Sequence, residues 1–170
     1  RDALKVRHSP AMFSILAATG VLFVLFIAWL KVAQGIYVTH FGEEPPASLS
    51  GFLGDVLTTG RGWSMIVWGN LAGLCFAVAA LAISVVTFPL LLERDVGALS
   101  AIQTSVRAFI ANPLPILFWG LMIAVLLVIG SIPLFAGLAV VLPVLGHATW
   151  HLYRKLIGPA DLVPMRSAAT

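Results

Sequence analysis

Apolar residues run through this chain in long unbroken stretches, not in alternation. The stretches cover roughly Met12–Leu30, Trp63–Leu92, Leu114–Ile129 and Pro133–Leu152. A helix needs about 20 apolar residues to cross ~30 Å of hydrocarbon, so the pattern predicts four spans. Strands of a membrane barrel would alternate apolar and polar positions, and no stretch does. The second stretch exceeds the requirement and is expected to tilt or protrude. Pro89 falls in its last turn, where a lost hydrogen bond matters little. Ser9 and Pro10 supply the cap and first turn of the first span, and Asn112-Pro113 opens the third. Only Gly130-Ser131-Ile132-Pro133 separates the third from the fourth, which predicts a tight helical hairpin.

Two shorter pieces carry a helical rhythm instead of a continuous run. Leu49, Phe52, Leu53, Val56 and Leu57 recur at helical spacing, with Ser48 as cap, Gly60 as terminator and Pro45-Pro46 as a stiff joint before them. Between Asp95 and Ile110 the apolar positions are Val96, Leu99, Ile102, Val106 and Phe109 or Ile110, with Ser100, Gln103, Thr104 and Arg107 between them. That is the i, i+3, i+4, i+7 rhythm of a helix lying in a membrane interface. Asp95 is placed to cap this helix, and Glu93-Arg94-Asp95 forms a charged elbow before it. The fold class that follows is all-α and integral to the membrane: four transmembrane helices as two hairpins, plus interfacial amphipathic helices. It reads as one polytopic domain. Residues 1–62 hold the first span and an outer loop, 63–112 the second span and a surface helix, and 113–170 the hairpin and C-terminal tail. Arg1–Arg7 and Gly97–Ile102 each lead through a proline into spans, a weak internal repeat of the kind some transporters carry.

Composition agrees with the pattern. Of 170 residues 60% are hydrophobic and 10% charged, against ~45–50% and ~25% in soluble domains, and the mean hydropathy is +1.03. A pI near 9.5 does not make this a nucleic-acid module: the net charge is only +3 and the basic residues are scattered. One cysteine, Cys75, excludes a disulfide framework or a cysteine zinc site. The chain opens on Arg1-Asp2-Ala3-Leu4 without a methionine, as if inside a helix, so a piece of a longer protein is expected. Lys and Arg set the orientation. Arg1, Lys5, Arg7, Arg94, Arg107, Arg154, Lys155 and Arg166 fall on one side of the four-span arrangement, and only Lys31 and Arg61 on the other. Both termini and the Glu93–Asn112 segment are therefore expected in the cytoplasm. The Phe41–Gly62 loop, with Glu43, Glu44 and Asp55, is expected outside a bacterial inner membrane.

Few residues could carry chemistry. His147 and His151, at i and i+4, share a helix face and could hold a metal or ligate a haem, or relay a proton. Their structural reading is an interhelical hydrogen bond from His147, and an interface belt of Trp150, His151 and Tyr153. The chain offers no third ligand in the spans and no acidic residue within a turn of the pair, which favours the structural reading. Lys31 and Gln34 read as a snorkelling lysine and its neighbour, or as an ion or proton site. Gly69, Gly73, Ala77, Ala80 and Ser84 form a small-residue stripe suited to close helix packing, and Asn70 beside it can bond across helices. Cys75 is a small hydrophobe mid-span. The four apolar stretches contain no Asp or Glu, and phosphate-loop, zinc-protease and nucleophile-elbow motifs are missing. An enzyme is not expected, nor is a resident cofactor.

Phe88-Pro89-Leu90-Leu91-Leu92-Glu93-Arg94-Asp95-Val96-Gly97-Ala98, Ala111-Asn112-Pro113-Leu114-Pro115 and Leu142–Arg154 resemble signatures of an uncharacterised bacterial integral-membrane family. That family is classed as a domain of unknown function, and its members are often labelled cytochrome c oxidase subunit I-like. The resemblance extends from about Ala3 to Arg154 and implies a further N-terminal segment with more spans. A catalytic oxidase subunit needs several histidines on separate helices for two haems and copper. Here only His147 and His151 lie inside or at the end of a span, so the label implies an associated role. The expected function is a non-catalytic accessory subunit of a larger respiratory or photosynthetic complex, with the bilayer and other membrane subunits as partners. The alternatives are a small transporter or channel of helix-hairpin repeats, and a haem- or metal-binding protein using His147 and His151.

Overall fold

The computed structural model describes residues 10–94, 96–132 and 134–157, and among them there are helices and short connections but no strand. The helices are α1 (Pro10–Phe41), α2 (Leu49–Thr58), α3 (Gly60–Ser84), α4 (Thr87–Glu93), α5 (Ala98–Ala111), α6 (Pro113–Ser131) and α7 (Leu138–Leu156). Three stretches are long and apolar enough to cross a membrane: Met12–Phe41, Gly60–Glu93 and Pro113–Ser131. The chain forms two compact units. One is Ala17–Ala80, and the other gathers the described residues up to Leu16 with those from Leu81 onward. The basic segment Arg1–Arg7, the Ser9 cap, Asp95, Pro133 and Arg166 lie outside the described residues.

In the first unit the α1 helix continues well past Leu30, because nothing between Lys31 and Phe41 breaks it. It stops at Gly42, whose φ of +88° only glycine takes without strain. Its N–H caps the Val38 carbonyl at 2.9 Å. The Ser48 hydroxyl accepts from the Gly51 N–H at 3.1 Å and starts α2, as the sequence predicts. Gly60 does not end α2 but begins α3; Thr59 makes the corner. Its hydroxyl donates to the Asp55 carbonyl at 2.6 Å and accepts from the Gly62 N–H at 3.1 Å. A Cβ on Gly62 would lie 2.3 Å from the Val56 carbonyl oxygen, so only glycine fits there. Phe41 and Phe52 meet edge to face at 5.3 Å, and the Arg61 guanidinium sits over the Phe41 ring at 5.1 Å.

The second unit holds most of the buried apolar side chains: Val85, Val86, Leu90, Leu91, Ala101, Ile116, Leu145 and Tyr153. Here the sequence reading needs correction. The long second span is not one helix with a harmless proline near its end. It breaks at Val85–Val86 into α3 and α4. Pro89 has no N–H for the Val85 carbonyl, and its ring crowds the carbonyl four residues before it. The break falls at that point. The Ser105 hydroxyl of α5 enters the gap: it donates to the Ala82 carbonyl at 2.7 Å and accepts from the Val86 N–H at 3.1 Å. One side chain thus replaces the helical bond between Val86 and Ala82, a known cause of kinks. The Thr87 hydroxyl donates to the Ile83 carbonyl beside it.

The hairpin also differs from expectation. α7 starts at Leu138, not at Pro133. Leu134 and Phe135 take φ of +49° and +65°, a region costly for bulky residues, and this turn lengthens the connection. Gly130 and Gly137 make the close approach: a Cβ on Gly137 would lie 2.8 Å from the Gly130 carbonyl oxygen and 2.9 Å from its Cα. α7 carries Pro143 in its interior and Arg154 and Lys155 in its last turn. It falls outside the three long apolar helices.

Candidate functional site

Glu93, Arg94, Arg107 and Tyr153 of the second unit lie where the ends of α4 and α7 come near α5. α5 packs on α4, with its Ala101 and Ser105 side chains fully buried. Around the α5 axis, Ile102, Phe109, Val106, Leu99 and Ile110 fall on one flank, and Gln103, Arg107, Ser100 and Thr104 on the other. Leu99 and Ile110 are exposed. This is the distribution of a helix with one side on protein, one toward acyl chains and one toward headgroups. Its N-cap is Gly97, with no side-chain capping bond.

Beside α5 the charged elbow meets α7. Tyr153, only 1% exposed, donates its phenolic hydrogen to the Glu93 carboxylate. The sequence reading placed Glu93 in an elbow and Tyr153 in an interface belt, without joining them. Sixty residues separate the two, and no periodicity links an acid on one helix to a phenol on another. Ser105 was missed for a related reason: its value lies in the backbone groups it reaches, which residue patterns do not show.

The histidine pair lies higher on α7. The rings of His147 and His151 meet edge to face with centroids 5.2 Å apart. Both are exposed, and among the described residues His147 makes no hydrogen bond to another helix. That departs from the expected interhelical bond; α7 turns this face outward. Among the described residues no three His, Cys, Asp or Glu side chains come together as a metal site. Lys31 and Gln34 are exposed in the interior of α1, not beyond its end. Asn70 bonds back to the Ile66 carbonyl of its own helix at 2.8 Å instead of reaching across. His40, which the sequence did not single out, sits between the Ile36 carbonyl at 2.7 Å and the Ser64 hydroxyl at 3.1 Å. The Ile36 carbonyl can only accept, so Nδ1 donates to it, and Nε2 is left to pair with the Ser64 hydroxyl.

The small-residue stripe can be placed residue by residue. Gly73, Ala77 and Ala80 line a groove of about 360 Å³ with Leu22, Leu25, Phe26 and Trp29 of α1. A Cβ on Gly73 would meet only the Trp29 indole nitrogen, at 3.9 Å, and one on Gly69 would meet nothing within 4 Å. Ser84 is the last residue of α3, just before the break. Among the described residues the glycines that bring backbones into contact are Gly62, Gly130 and Gly137.

Residues 1–93 match the family model DUF2189, described as a predicted integral membrane protein. Of the three stretches resembling a family signature, only Phe88–Glu93 falls within that match. No curated protein and no solved structure matches the chain.

Proposed function

Because the chain belongs to the DUF2189 family of predicted integral membrane proteins, we propose that it is a non-catalytic accessory subunit of a larger bioenergetic complex in a bacterial inner membrane. The observation that carries this reading is the unfilled groove along Gly73, Ala77 and Ala80. Small residues on a membrane helix let another backbone approach closely, yet α1 leaves that space open. Little of the first and third spans is covered by the rest of the chain, so they have surface for lipid and for neighbouring subunits. The apolar stretches offer no acid for catalysis or ion coupling.

In this reading α7 is the fourth span, and the helices pair as two hairpins. Its support is that α7 matches α6 in length, at 19 residues each, and its end at Leu156 and Ile157 lines the same cleft as Asn112 at the start of α6. Both ends of the chain then lie in the cytoplasm with most of the basic residues. Labelling with a membrane-impermeant thiol reagent tests this in a Cys75→Ser background: Glu44→Cys should react and Gln103→Cys should not.

The subunit reading is tested by gentle detergent extraction and mass spectrometry of what co-purifies. Defined membrane subunits in fixed ratio support it, and a lone chain overturns it. A haem or metal at His147 and His151 is the competing reading, favoured only by their shared exposed face. An optical band or bound metal that vanishes in His147→Ala would put it first.

A further inference from the structure

The end of the second unit contains a cleft of about 520 Å³ that the proposed role does not use. Arg94 comes to it from the end of α4, and Arg107 from the polar flank of α5. Ser100 and Asn112 also face it. Among the described residues two guanidinium groups line the cleft and no carboxylate does. The nearest described acid, Glu93, is engaged by Tyr153. Among the described residues Arg107 has no ion-pair partner and Ser100 no side-chain hydrogen bond, so both keep their donors. The rest of the wall is apolar, with Leu90 on one side and Leu156 and Ile157 on the other. Arg154 and Lys155 lie one turn from those two residues.

We propose that this cleft binds a phosphate group. The donor set fits: guanidinium forks match phosphate oxygens in bidentate geometry, and a serine hydroxyl adds a third donor. The half-apolar wall fits a phosphate that carries a hydrocarbon. α5 supplies the setting, because its apolar flank belongs among acyl chains and its polar flank at headgroup depth. Basic pockets between membrane helices hold anionic headgroups in this way. The phosphate comes either from an anionic phospholipid or from a soluble phosphate ester.

The test uses the full chain, purified in detergent and stripped of lipid. Native mass spectrometry with added phosphatidylglycerol, and thermal shift with glycerol 3-phosphate, are run on the parent, Arg107→Gln, Arg94→Gln/Arg107→Gln and Arg154→Gln. Arg107→Gln breaks no hydrogen bond or ion pair among the described residues, so it keeps the result readable if the double variant fails to fold. Each guanidinium near an anionic headgroup is worth about fivefold in affinity, so the double variant should bind roughly thirtyfold more weakly, and Arg107→Gln about fivefold. Arg154→Gln, outside the cleft wall, should bind like the parent. Arginine-dependent retention of the lipid assigns the phosphate to phospholipid; arginine-dependent stabilisation by glycerol 3-phosphate alone assigns it to a soluble ester. Binding of neither, or binding unchanged in Arg107→Gln, overturns the proposal.

Discussion

Replacing Ser105 by alanine tests the broken second span at its centre. The hydroxyl is fully buried and serves two backbone groups, the Ala82 carbonyl and the Val86 N–H. Each buried backbone group left without a partner costs about 1–3 kcal/mol, so two set an upper limit near ~6 kcal/mol. Side-chain hydrogen bonds between membrane helices average about 0.6 kcal/mol, which sets the lower limit. Ser105→Ala cannot recover the loss simply by closing a regular helix, because Pro89 still crowds the Val85 carbonyl. A destabilisation of about 2–3 kcal/mol is expected. Pro89→Ala returns the missing donor and lets the helix close, so Ser105→Ala should cost about 1 kcal/mol less in that background, a coupling within the range of contacting residues. Titrating purified protein from mild detergent into dodecyl sulfate, with circular dichroism as the readout, measures both quantities. If Ser105→Ala stays within about 0.5 kcal/mol of the parent and adds simply to Pro89→Ala, the hydroxyl does not hold the break.

Other substitutions follow from the same geometry. Gly137→Ala should cost about 1–3 kcal/mol by overpacking, since its Cβ meets Gly130 backbone. Gly146→Ala, with open space around it, should gain up to about 1 kcal/mol from helix propensity; equal effects in the same titration would refute the distinction. The Trp119 indole nitrogen is buried without a partner among the described residues, so Trp119→Phe should leave thermal stability unchanged or raised, and a loss above about 1 kcal/mol would show the N–H to be engaged. Tyr153→Phe removes the hydrogen bond to the Glu93 carboxylate and should cost about 1–3 kcal/mol in the same titration; unchanged stability would show that the bond contributes nothing.

The helical membrane character of the chain was legible because it rests on long apolar runs, which composition alone cannot hide. The Ser48 cap and the two-flanked α5 were legible because they rest on local spacing. What was not legible involved partners distant in the chain. Pro89 was visible, but its effect depends on whether another helix can serve the freed backbone, and Ser105 gave no sign of that. The extended turn before α7 depends on left-handed Leu134 and Phe135, residues that signal no turn. The stripe of Gly69 and Gly73 did not say whether its partner helix lies in this chain or another; within this chain, among the described residues, the close backbone approaches are at Gly62, Gly130 and Gly137. Small residues announce that an approach is allowed, not that one occurs.

That last difference supplies the sharpest test of the accessory role. In Gly73→Leu the added Cβ would meet only the Trp29 indole nitrogen, at 3.9 Å, and the groove of about 360 Å³ beside it has the volume to take the rest of the leucine side chain. The groove it would fill is the one assigned to a partner helix. The isolated variant should therefore melt within about 0.5 kcal/mol of the parent, as substitutions away from packed contacts do, while membrane subunits that co-purify with the parent should be lost from it. Partners retained in undiminished ratio by Gly73→Leu would contradict the claim that this groove joins the chain to a larger complex.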